Sequence, residues 1–171
     1  MPLKTERAPK VAILISSVLL IVLDQITKSV IENMLNSGQE RRMTIIPGLL
    51  ELSYLENPAA AFGLFGNVIW LVVILTFVVA GVIAAGIFLY KKHSFFSYAA
   101  SALLLAGGVG NLIDRITRGY VVDFIHVMFF DYIFNVADCC VTIGVVCLAV
   151  HCLLYAYREK KSEDGPDAPE A

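Results

Sequence analysis

The chain has 171 residues, about one domain's worth. Fifty-eight percent are hydrophobic and only 16% charged, against about 25% charged in a typical soluble domain. That composition excludes disorder over most of the chain and leaves too few charges to coat a water-facing surface. The net charge of −2 carries no basic excess and no nucleic-acid signal.

Four stretches are long and apolar enough to cross a bilayer, which needs about 20 residues of helix: Val11–Ile31, Val68–Tyr90, Phe95–Ile113 and Cys139–Tyr157. In lipid each must be helical, because unpaired backbone groups are costly there. The first has a basic front but no small-residue cleavage site after it, so it reads as a retained helix and not a signal peptide. Basic residues orient the spans. Eight (Lys4, Arg7, Lys10, Lys91, Lys92, Arg158, Lys160, Lys161) fall on one side and four (Arg41, Arg42, Arg115, Arg118) on the other. Both termini are therefore expected in the cytoplasm, with residues 1–157 as one membrane domain and residues 158–171 as a disordered cytoplasmic tail.

Two outer segments remain, Glu32–Asn67 and Asp114–Asp131. Leu50-Glu51-Leu52-Ser53-Tyr54 alternates apolar and polar after a Pro47-Gly48 turn, which predicts a strand in a small sheet on the membrane surface. Cys139, Cys140, Cys147 and Cys152 sit in one apolar stretch and read as small helix residues, not as a disulfide frame or a metal site. Neither a Ser nor a Cys nucleophile pattern stands out.

Polar residues at membrane depth are functional candidates. Asp24 and Lys28 share a helix face and can pair. Asn57, before Pro58, is either a helix cap or an amide offered to a peptide. Gly107, Gly108 and Gly110 permit close helix packing beside Asn111, Asp114 and Arg115, and Asp114 with Arg115 reads as a salt-bridged helix end. Asp123 lies in an apolar run and Asp138 at the start of the last span, at the same membrane boundary. Two such carboxylates can share one proton and activate a water, although Asp138 alone also reads as a helix N-cap. A small proton or ion transporter is the alternative reading, and a non-catalytic scaffold a further one; transporter sites lie nearer the midplane.

The blocks Asp24-Gln25-x-x-Lys28, Asn57-x-x-Ala60-Ala61-Phe62, Gly107-Gly108-x-Gly110-Asn111-x-x-Asp114-Arg115, Val121-Val122-Asp123-Phe124 and Phe134-Asn135-x-Ala137-Asp138 resemble those of bacterial lipoprotein signal peptidase, signal peptidase II, in the same order. The resemblance implies four transmembrane helices, a small extracytoplasmic β-sheet cradle and a short surface helix, in the bacterial inner membrane. It implies a monomeric aspartic endopeptidase that cuts prolipoproteins before a diacylglyceryl-modified cysteine, in contact with membrane lipid, without cofactor or metal, and inhibited by globomycin. It assigns Asp123 and Asp138 as the catalytic pair. Asn57, Asn111, Arg115 and Asn135 then shape the site or bind substrate, and Asp24, Lys28 and Asp114 support it. The family pattern has glycine where this chain has Ala59, and a methyl group there excludes left-handed backbone.

Overall fold

Long apolar runs without interior proline propagate as helices, and three of them carry the architecture. The computed structural model describes residues 7–36, 41–58 and 92–163, with scattered positions between 74 and 86. Helix α1 is Arg7–Ile31 and continues as a π-helical turn over Glu32–Asn36. Helix α2 is Phe95–Thr117 and helix α3 is Val136–Glu163. All three are long and apolar enough to cross a membrane. Large apolar side chains line their outer faces, with Leu14, Leu19, Ile143 and Leu153 all exposed, as expected of surfaces that face lipid. The stretch read as a span over residues 68–90 falls largely outside the described residues. So do Ala59 and residues 164–171. Helix α3 runs six residues past Tyr157, where the sequence reading ended the span and began the tail. The Glu159, Lys160 and Lys161 run is helix-compatible, and nothing before Gly165 interrupts it.

The helix ends are fixed by reciprocal caps. Ser94 caps α2, accepting from the Ser97 N–H while the Ser97 hydroxyl accepts from the Ser94 N–H. At α3 the cap is Asn135, not Asp138. The Asn135 side chain accepts from the Asp138 N–H (2.9 Å), and Asp138 accepts from the Asn135 N–H (3.2 Å). Asp138 is thus the third helical residue, its carboxylate turned back over the helix start.

Four strands form one antiparallel sheet in the order β1 (Arg42–Ile46), β2 (Leu50–Asn57), β3 (Val121–Val127) and β4 (Ile133–Phe134). The β1–β2 turn needs Gly48, whose φ is +73°, and its glycine was legible in sequence. Strand β2 runs three residues beyond the predicted Tyr54, because Leu55, Glu56 and Asn57 pair with Asp123, Val122 and Val121. A bulge between Leu52 and Leu55 resets the register and puts Asn57 beside the start of β3. Tyr54, Val122 and Phe124 pack with Ile31 and Leu35, docking the sheet onto the end of α1. Among the described residues, the π-helical turn is the only short helical piece; no separate surface helix is seen there.

Close helix packing brings the site together. A side-chain carbon at Gly107 would collide with the Ala137 carbonyl and Val141, and one at Gly110 would lie 2.8 Å from the Asp24 carboxylate. Glycine at these two places lets α1, α2 and the start of α3 meet.

Candidate active site

The nine residues assigned to the site from the sequence lie at this junction. Asp123 projects from β3 and is 2% exposed. Its Oδ2 accepts from Asn57 Nδ2 (2.7 Å) and its Oδ1 from Asn135 Nδ2 (2.6 Å). Asp138, partly buried on the first turn of α3, accepts from Asn111 Nδ2 (2.8 Å) at its Oδ1. Asn135 therefore joins the two carboxylates, its amide on Asp123 and its backbone N–H on Asp138. The three amides do not work independently. Asn135 Nδ2 also donates to Asn111 Oδ1 (3.1 Å), which in turn accepts from Lys28 Nζ (2.9 Å).

Burial drives the Asp123 pKa up from 3.8 to about 6, with the Asp138 charge adding to it and the Asn57 and Asn135 amides opposing it. A carboxyl so placed keeps its proton to a higher pH than a free carboxyl, which suits general acid–base chemistry. Asp138 opens on a cavity of about 420 Å³ lined by Phe134, Cys139, Thr142 and Ile143, on the lipid-facing side of α3. Arg115, partly buried, donates from Nη1 to the Asn111 carbonyl (3.2 Å).

Beneath the pair lies an ion cluster. Lys28 is fully buried and bridges Asp24 (2.8 Å) and Asp114 (3.0 Å). Together with Asn111 these give its ammonium three acceptors for three protons. Asp24 reaches across to cap α3, accepting from the Ala137 N–H (2.9 Å), and Asp114 accepts from the Val122 N–H (3.2 Å) of β3. The two acids thus tie α1 and α2 to the two elements that carry Asp123 and Asp138.

Two expectations change. Asp114 does not pair with Arg115; its partners are Lys28 and Arg118 (2.5 Å), because one helical turn, not one residue, separates side chains that face each other. Asn57 is not a helix cap, since it closes β2 and its amide donates to Asp123. Two residues had no role in the sequence reading of the site. Gln25 donates to the Gly110 carbonyl and to Asp114 (both 3.1 Å), and Arg118 also pairs with Glu32 (3.4 Å). The i, i+4 spacing of Asp114 and Arg118 was the available signal.

Membrane-length helices with two amide-held carboxylates at one end, one on a strand and one on a helix start, form the kind of constellation used by membrane aspartic proteases. The chain matches the family model described as signal peptidase (SPase) II over residues 16–154. It is 39% identical to a lipoprotein signal peptidase of Streptococcus agalactiae over 142 residues, 82% of this chain and 91% of the relative. A lipoprotein signal peptidase of Streptococcus pyogenes is 37% identical over 137 residues, 80% of this chain and 89% of that one. A bacterial membrane enzyme solved by the in meso method at 2.3 Å resolution superposes with a TM-score of 0.78 at 28% identity, covering 93% of this chain and 94% of its own. A second such enzyme, at 1.9 Å, gives 0.74 at 31% identity over 83% and 92%. The chain belongs to the signal peptidase II family, a family of bacterial membrane aspartic proteases.

Proposed function

We propose that this protein removes the signal peptide from prolipoproteins, cutting just before a diacylglyceryl-modified cysteine, with Asp123 and Asp138 as the catalytic pair. The observation that carries the reading is the shared hold of Asn135 on both carboxylates, one buried and one facing a cavity on the lipid side. Asp123 carries the proton and Asp138 is ionised. A water between them is deprotonated by Asp138 and attacks the scissile carbonyl, while Asp123 protonates the developing oxyanion. Asp138 then returns its proton to the leaving amine as the C–N bond breaks, and a hydroxyl of the gem-diol gives a proton back to Asp123, which regenerates the pair. Docked substrate displaces the remaining water, which raises the Asp123 proton affinity further. Asn57 and Asn135 orient Asp123, Asn111 orients Asp138, and Arg115 holds a substrate carbonyl through its fork of donors. Asp24, Lys28 and Asp114 hold the elements in place. Two carboxylates and water suffice for this chemistry, so the reading includes no cofactor.

In this reading residues 68–90 form the fourth span, both termini are cytoplasmic, and the site faces outward from the bacterial inner membrane. The positive-inside count supports that orientation. The enzyme acts as a monomer, globomycin occupies the site, and the acyl chains of the substrate lie in lipid beside α3. The test is cleavage of a diacylglyceryl-modified prolipoprotein by purified protein, read by gel shift with globomycin as control. Wild type cuts and well-folded Asp123→Asn and Asp138→Asn do not. Cleavage surviving in either variant overturns the assignment of that residue.

A further inference from the structure

At the membrane face opposite the carboxylates, the start of α2 meets the last turns of α3. Arg158 lies twenty residues beyond Asp138 on α3, about 30 Å along the helix. A cavity of about 200 Å³ opens there, walled by Lys92, Phe96, His151, Tyr155 and Arg158. An adjoining opening of about 310 Å³ shares Lys92, Tyr155 and Arg158. A third cavity of about 380 Å³ continues along the helices toward the middle of the membrane. It shares His151 and is lined there by Ala100, Leu104, Leu148 and Cys152. The composite space is therefore cationic at the membrane face and apolar toward the interior.

The cations are placed, not scattered. Lys92 Nζ donates to the Tyr155 hydroxyl (2.5 Å) and sits 4.8 Å from the centre of that ring. Its carboxylate neighbour is Glu159 at 3.6 Å. Arg158 has no ion pair among the described residues, and Lys160 and Lys161 follow it on the same helix. His151 is buried where the cationic and apolar parts join, hydrogen-bonded to the Ser94 hydroxyl (2.8 Å). One acid, Glu159, against two cations at the opening, Lys92 and Arg158, leaves the polar end net positive. A soluble anion would match that end only. An amphiphile with an anionic head matches both, and the bilayer supplies such molecules at this depth.

We propose that this composite cavity binds one anionic phospholipid, its phosphate between Lys92 and Arg158 and one acyl chain along Leu104, Leu148 and Cys152. The site is separate from the cleavage chemistry and depends only on the membrane embedding of α2 and α3. Bound there, the lipid would staple the start of α2 to the end of α3.

The test is native mass spectrometry of the delipidated, detergent-purified full chain with phosphatidylglycerol, phosphatidylcholine or inorganic phosphate added. Wild type is expected to retain one phosphatidylglycerol and to bind phosphatidylcholine at least about tenfold more weakly. Arg158→Gln with Lys92→Gln should lose that preference, and Glu159→Gln should strengthen it. Leu148→Trp, on a half-exposed position that needs no refolding of the core, should expel the acyl chain and lower phosphatidylglycerol retention. Equal retention of both lipids overturns the proposal, as does phosphatidylglycerol binding that survives the double cation variant. Displacement of the lipid by millimolar phosphate would also overturn it, by showing that the site reads the phosphate alone. Prolipoprotein cleavage in detergent should be unchanged in all three variants, so a failed binding result leaves the cleavage assignment standing.

Discussion

Lys28→Met is the sharpest probe of how this fold supports its carboxylates. The ammonium is fully buried, 2.8 Å from Asp24, 3.0 Å from Asp114 and 2.9 Å from the Asn111 side-chain Oδ1. Methionine fills much of the same volume but leaves two acids without their common cation and the Asn111 amide oxygen with one donor, Asn135, where it had two. Removing one partner of a buried ion pair costs about 3–5 kcal/mol. Arg118 remains on Asp114 and the Ala137 N–H on Asp24, so the expected loss lies near the lower end, about 3 kcal/mol. The assay is chemical or thermal unfolding in a fixed detergent, followed by circular dichroism. The double variant Lys28→Met with Asp24→Asn removes one stranded charge and should recover part of the loss. A Lys28→Met variant within about 0.5 kcal/mol of wild type, the range of ordinary surface changes, would refute the argument that the cluster is a structural tie.

The remaining predictions follow from the same contacts. Because Asp123 titrates near 6, kcat/KM should fall as pH rises above about 6, where the pair loses its shared proton. Asn57→Ala removes a donor that favours the ionised carboxylate, so this limb should move to higher pH in a pH–rate profile. The same carboxyl binds its proton more tightly folded (about 6) than unfolded (3.8), so it favours the folded state at low pH. That contribution is lost as pH rises from about 4 through about 6, an effect on the order of 3 kcal/mol visible in Asp123→Asn against wild type. Gly107→Ala should cost about 1–3 kcal/mol in unfolding experiments, because the new methyl meets backbone at Ala137 as well as Val141. Asn135→Ala should lose the α3 cap, about 1 kcal/mol, and abolish cleavage, since Asp123 loses its Nδ2 donor and, of the Asn135 contacts, only the backbone N–H on Asp138 remains.

What the sequence made legible follows the range of the interactions. Asp24 and Lys28 are one helical turn apart, so their pairing could be read from spacing. The apolar lengths of α1, α2 and α3 announced themselves, and Pro47-Gly48 marked a turn that Gly48 does make. The partners of Asp114 were misread because adjacency in sequence was taken for contact, whereas Arg118 one turn on is the true neighbour. The hold of Asn57 on Asp123 spans 66 residues and depends on a bulge in β2, which no local pattern encodes. Strand β4 is only two residues long, too short for any alternation to show. Asp138 taken alone also reads as the cap of α3, because aspartate is a common cap. The actual cap, Asn135 three residues earlier, completes a reciprocal box that frees one edge of Asp138 to face the cavity.

That last arrangement explains why asparagine, not another acid or a serine, joins the two carboxylates. Asn135 must accept one hydrogen bond from the Asp138 N–H and donate to Asp123 and Asn111 at once. An aspartate there would supply the acceptor but no donor, and would place a third negative charge beside a pair that must hold one proton. A serine caps a helix equally well but has a single proton to give and a shorter reach. Only a side-chain amide caps the helix and grips both neighbours. Asn135→Asp should therefore keep the fold, since aspartate caps as well as asparagine, and yet lose cleavage. A fully folded Asn135→Asp enzyme with wild-type turnover would show that the amide is needed for the helix alone and not for the carboxylate pair.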